Sequence, residues 1–147
     1  MKLSTRVLYG TRALLDLTLQ DRKGPVQLKE IAARQDISLH YLEHLIAPLI
    51  TAGIIKSTRG ARGGIQLIKN PQSVKLSEVT NLLEGSISPV ECVTNPERCS
   101  RSELCATRDV WTKMKTAMDG VLESTTLQDL AEQQQDKDQA KQIMYYV

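Results

Sequence analysis

The chain of 147 residues has no apolar run approaching the ~18 residues that would argue for a membrane span. Its opening, MKLSTRVLYGTRALLDL, is broken by charged and polar residues where a secretory signal would carry a continuous apolar stretch. The expected location is therefore the cytoplasm, with no membrane as a partner. Catalytic equipment is just as sparse. There is no glycine-rich nucleotide loop and no nucleophile with an evident base beside it, and the only two histidines are His40 and His44. An enzyme is thus the weaker class. Cysteine is confined to three positions, Cys92, Cys99 and Cys105, all within ECVTNPERCSRSELCATRD. An odd number of thiols in a reducing compartment argues against a disulfide framework. The spacing Cys92-x6-Cys99-x5-Cys105 also lacks both the Cys-x-x-Cys redox pair and the closely paired ligands of a structural zinc site.

The length fits one domain with an accessory segment. Net charge is +2, but it is unevenly divided. Residues 1–70 hold eleven Lys and Arg against five Asp and Glu, whereas residues 71–147 hold eight against twelve. A basic half beside an acidic half is what a polyanion-binding face would produce, although asymmetry of this size also arises by chance.

The apolar pattern predicts a helix from Thr5 to Gln20 with Leu8, Thr11, Leu15, Thr18 and Leu19 on one stripe. Leu14 and Leu17 fall off that stripe, so burial on more than one side is expected. Asp21 to Pro25 reads as a turn and Val26 to Leu28 as a short extended piece. Leu28 to Gln35 is a short helix, and a second begins after the N-cap residue Ser38, with Leu42, Leu45, Ile46 and Leu49 repeating at helical spacing. Together they form a helix-turn-helix pattern. Pro48 predicts a kink or break there, leaving Leu39 to Ala47 as the straight part.

Two β-branched strands, Ile54 to Thr58 and Ile65 to Ile68, flank the basic, glycine-rich tip Arg59-Gly60-Ala61-Arg62-Gly63-Gly64. Glycine permits close backbone approach and arginine supplies a charged fork, so Arg59, Gly60, Arg62 and Gly63 are candidate DNA contacts; the alternative is a solvated hairpin. Leu76 to Leu83 is predicted as a helix. A longer one, Thr107 to Ser124, carries Trp111, Met114, Met118, Val121 and Leu122 along one face, suited either to the core or to pairing two subunits. Thr126 opens a short helix through Ala131. The remainder is polar, and order there is expected to be weak unless Ile143 to Val147 docks on a neighbour.

The start MKLSTRVLYGTRALLDLTL, the recognition helix ISLHYLEHL, the wing RGARGG, the three cysteines and TTLQDL together resemble the IscR-type family of winged-helix regulators that carry iron-sulfur clusters. The resemblance covers about residues 1–134. It implies a mainly α fold with a small β-hairpin wing, in which a winged helix-turn-helix head is joined to a long dimerisation helix. The corresponding regions are a DNA-binding head at 1–85, a cluster-binding loop at 86–106, dimerisation and short helices at 107–134, and a polar tail at 135–147. The implied function is homodimeric, cluster-sensing transcriptional repression of iron-sulfur assembly genes through double-stranded DNA. By the same resemblance Ser38, His40, Tyr41 and Glu43 face the major groove and Arg59 enters the minor groove.

Glu43 is either a specificity residue, accepting from cytosine and repelled by phosphate, or a solvent-facing carboxylate. His40 and His44, four residues apart, could bind a metal, but on this helix DNA contact or a solvated face is preferred.

Cys92, Cys99 and Cys105 are the implied cluster ligands, with [2Fe-2S] favoured over [4Fe-4S]. Three thiolates leave the usual set of four incomplete. Where the family places a histidine, three residues past the last cysteine, this chain has Arg108, whose guanidinium has no lone pair to offer. Candidates for the fourth position are Asp109, Glu103, Glu91, a partner-subunit group or an exogenous ligand. The rival assignment is a winged-helix regulator that uses the cysteines for zinc or thiol redox sensing.

Overall fold

The computed structural model describes residues 2–20 and 24–146. Among the described residues seven α-helices and one hairpin run in the order α1 (Thr5–Gln20), α2 (Leu28–Gln35), α3 (Leu39–Thr51), β1 (Ile55–Thr58), β2 (Gly64–Leu67), α4 (Leu76–Leu83), α5 (Glu91–Thr94), α6 (Ala106–Ser124) and α7 (Leu127–Tyr145). Residues Asp21 to Lys23 of the expected turn lie outside the described residues.

The core is built where α1, α2, α3, α4 and the hairpin meet. On α1 the buried face is Val7, Gly10, Leu14 and Leu17, so the stripe predicted through Leu8 is corrected: Leu8 is exposed, and the two leucines thought to lie off it point inward. Gly10 is required there, because a Cβ would run into Leu83 of α4. Asp36 closes α2 in the left-handed region at φ 53°, and Ser38 caps α3 by accepting from the Tyr41 N–H at 3.1 Å. This is the turn of the helix-turn-helix.

Of the kink or break expected at Pro48, the break does not occur: α3 runs through it to Thr51. Leu45, Ile46 and Leu49 are all buried around it, and that packing holds the turns on both sides of the missing hydrogen bond. The wing pairs antiparallel from Ile55 opposite Leu67 to Thr58 opposite Gly64. Val26 adds a bridge to Ile65, each N–H donating to the other's carbonyl at 2.8 Å. Gly64 permits that approach: its φ is 153°, and a Cβ would collide with the Val26 carbonyl.

The chain then leaves the head and returns to it. α4 packs on α6, and at the far end of α6 a bridge between Lys75 and Thr126 brings Leu127 fully into the head core. α7 packs on α1 and continues well past Ala131, where the sequence pattern ended it. Its second half is composed of residues tolerant of helix, with Gln134 donating to Asp138 at 3.0 Å. Ile143, Met144, Tyr145 and Tyr146 at its end are exposed. Among the described residues no helix is long and apolar enough to cross a membrane.

Candidate nucleic-acid interface and cysteine segment

The outer face of α3 follows from its inner one. With Leu42, Leu45, Ile46 and Leu49 buried, the positions left outside are His40, Glu43, His44 and Ala47, preceded by Ser38 and Leu39. His40 is 83% and Glu43 55% exposed. Of the residues named from sequence, Ser38, His40 and Glu43 lie on this face. So does His44, for which DNA contact or a solvated face is the preferred reading; Ala47 completes the face, and the complement of the buried stripe would have identified it.

Tyr41 is placed differently. It is half-buried, with its hydroxyl 3.1 Å from Thr5 Oγ1 and its ring edge-on to Tyr9 at 6.2 Å. Tyr9 in turn lies under the Arg12 guanidinium, 5.4 Å from the ring centre. Tyr41 therefore fixes α3 against α1. A carboxylate the sequence pattern passed over does the same for α2: Asp16, buried in α1, accepts from Arg34 Nη2 at 2.6 Å, Arg34 Nε at 2.9 Å and Gln35 Nε2 at 2.9 Å. The bond to Asp16 holds the Arg34 guanidinium above its ordinary pKa.

At the wing tip Arg59, Gly60, Ala61 and Arg62 are exposed, while Gly63 is buried. A Cβ on Gly63 would strike the Thr58 carbonyl, and Gly60 sits at φ 106°. The two glycines thus shape the tip and the two arginines present charge. Gln27 Nε2 donates to the Ala61 carbonyl at 3.4 Å, tying the tip back to the start of α2.

Between α4 and α6 the cysteine segment folds as a chain of tight turns rather than as an open loop. Cys92 is on α5, Cys99 follows the 3₁₀ turn Pro96–Arg98, and Cys105 follows the turn Ser102–Leu104 and caps α6. All three are free, half-buried thiols. Arg108 organises this segment: its Nε donates to the Cys92 carbonyl at 2.9 Å and its Nη1 to the Ser102 carbonyl at 3.4 Å. The side chain that cannot bind metal instead ties the first cysteine's backbone to the last turn.

Cys105 Sγ is 3.1 Å from Thr107 Oγ1. That contact, with the backbone N–H groups of Arg108 and Thr107, holds the thiol below its usual pKa, against desolvation and the Asp109 charge. Glu91 pairs with Arg98 across the segment, and Glu103 and Asp109 are exposed. The donor chemistry suits an iron-sulfur group, since thiolates are soft ligands. Among the described residues no three Cys, His, Asp or Glu side chains converge closely enough to hold a single metal ion.

α6 itself has no buried residue along its 19 positions. Val110, Met114 and Val121 are exposed apolar side chains, and Leu3, Ile87, Ala117, Met118, Val121 and Leu122 line an apolar groove beside them.

A family model described as Rrf2, iron-dependent transcriptional regulator, matches residues 3–133. The HTH-type transcriptional regulator CymR of Bacillus subtilis is 39% identical over 147 residues, the whole of both chains. Protein rrf2 of Nitratidesulfovibrio vulgaris is 45% identical over 130 residues, covering 88% of this chain and 87% of that one. Among solved structures, IscR of T. potens superposes with a TM-score of 0.73 at 39% identity, covering 90% of this chain and 88% of its own. The named relatives are transcriptional regulators rather than enzymes.

Proposed function

This chain belongs to the Rrf2 family of transcriptional regulators, and from that premise we propose that it is a homodimeric, cytoplasmic repressor that reads double-stranded DNA and responds to iron-sulfur status through its cysteine segment. The observation that carries the DNA reading is the exposed face of α3, His40, Glu43, His44 and Ala47, on the same head as the exposed tip arginines Arg59 and Arg62. Ser38, His40 and Glu43 can meet base edges in a major groove, and Arg59 can enter a narrow minor groove. Tyr41 belongs with them as a positioning residue, through Thr5 and Tyr9.

Dimerisation is supported by α6, none of whose residues is fully buried within the chain. Its Val110, Met114 and Val121 stripe is apolar surface that a second copy would cover, setting the spacing of two heads on two half-sites. Cys92, Cys99 and Cys105 would hold the cluster, [2Fe-2S] in preference to [4Fe-4S], and when bound that group supplies sensitivity to iron and redox state. Of the candidates for a fourth ligand, Glu91 is engaged by Arg98, whereas Glu103 and Asp109 are exposed on either side of Cys105. Genes for cluster assembly are the matching regulatory target.

Selection from a random duplex pool followed by titration at graded salt tests the DNA reading. An enriched sequence bound with a steep salt dependence is expected, and salt-independent or unselective binding would sink it. Anaerobic purification with iron and sulfide analysis tests the cofactor. A second reading, zinc or thiol sensing, is favoured on its thiol side by the Cys105 contact with Thr107, which holds that thiol below its usual pKa. One zinc per chain, or no metal with Cys105 modified ahead of the other two, would establish it instead.

A further inference from the structure

His40 and His44 lie one turn apart on the outer face of α3, with their Nε2 atoms 3.2 Å apart and their rings nearly perpendicular at 86°. Nitrogens bound at about 2.1 Å to one ion stand about 3.0 Å apart at a right angle and about 3.4 Å apart at the tetrahedral angle. The observed separation falls between the two. On its other side, His40 Nδ1 faces Glu43 Oε2 at 4.0 Å. That is longer than a hydrogen bond; closing it would favour the tautomer that leaves Nε2 unprotonated, the usual support behind a metal-binding histidine.

We propose that the Nε2 atoms of His40 and His44, with Glu43 orienting His40, form a two-imidazole site for a borderline transition-metal dication such as Ni2+ or Zn2+ on the DNA-reading face, so that the ion and DNA exclude each other. Imidazole selects such ions over Mg2+ and Ca2+, which require oxygen ligands. A tautomeric shift and a small rotation of the rings are needed: the proton shared between the Nε2 atoms moves through solvent to the Nδ1 of its own ring, and both lone pairs turn from each other to the ion. Solvent fills the remaining positions. The exclusion of DNA rests on the DNA-binding reading above; the site itself does not.

The chain has two histidines, so an imidazole 1H–15N spectrum of the full-length protein contains two ring systems. Ni2+ titrated into it should broaden both rings together at micromolar concentrations, while millimolar Mg2+ leaves them sharp. Nickel captured by the cysteines leaves the rings sharp as well and so does not imitate the result. His44→Ala should weaken broadening of the His40 ring at least about tenfold by removing the second point of attachment, and Glu43→Gln should also weaken it about tenfold. Rings that broaden independently, an unaltered response in His44→Ala, or no response below millimolar Ni2+ would each overturn the site. A saturating amount of the selected duplex should protect both rings, and broadening that persists unchanged with DNA bound would overturn the exclusion.

Discussion

Asp16 is a carboxylate at 4% exposure that accepts three hydrogen bonds from Arg34 and one from Gln35. Without the acceptor Arg34 can turn to solvent, so Asp16→Ala should cost about 2 kcal/mol by denaturant unfolding, the loss of charged hydrogen bonds rather than of a buried pair. An unchanged midpoint would mean that the network does not hold α1 to α2. Arg108 acts on a smaller territory. Arg108→Ala should speed proteolysis between residues 91 and 105 without moving the unfolding temperature of the head, because the bonds it loses go to the Cys92 and Ser102 carbonyls. At this scale the sequence was legible for chemistry and silent on partners. That Arg108 cannot donate a lone pair follows from its structure alone. That it holds Cys92 depends on a contact sixteen residues away, which no local pattern encodes.

Elements were legible wherever one face is buried and the other is not. The helix Leu76–Leu83 follows directly from its apolar spacing, and the wing from its β-branched strands. Where both faces have contacts, as on α1, the choice among apolar stripes was decided by which side the common core with α2, α3 and α4 covers. α7 runs on where the apolar pattern stops, because propensity and capping suffice for a helix whose first turn is buried, and polarity there does not mean weak order. Thr126 and Asp129 form a reciprocal capping box there, and the Thr126 backbone and hydroxyl hold the Asp129 carboxyl below its usual pKa. A depressed carboxylate stabilises the fold above its unfolded-state pKa, and that contribution is lost as pH falls through the lowered folded value. Asp129→Asn should therefore flatten the acid limb of a stability-against-pH curve below the ordinary aspartate range, and Thr126→Ala should cost about 1 kcal/mol at neutral pH. On α6, Val121→Asp should shift the protein from dimer to monomer in light scattering while the head stays folded, since Val121 is 63% exposed within the chain. A dimer that survives the charge would place the subunit contact elsewhere.

Across the whole molecule, the charge division seen along the chain becomes a division of labour. The basic residues 1–70 supply the exposed arginines Arg59 and Arg62 at the wing tip, and the acidic remainder supplies the cysteine segment and the two long helices. If both arginines meet phosphates, Arg59→Ala with Arg62→Ala should reduce the slope of log affinity against log salt by about 1.8, roughly 0.9 for each contact. An unchanged slope would leave the wing off the DNA backbone. Sequence by itself determined the helix-turn-helix, the wing, the long amphipathic α6 and the incomplete set of thiols, because each is written in local spacing and side-chain chemistry. Tertiary structure alone decided that Tyr41 faces α1, that Leu127 returns to the head core, that Pro48 leaves α3 unbroken, and that His40 and His44 bring two nitrogens to one point. Those outcomes depend on packing between distant segments, or on the rotamers two neighbouring rings adopt, and neither is specified by the pattern along a single element.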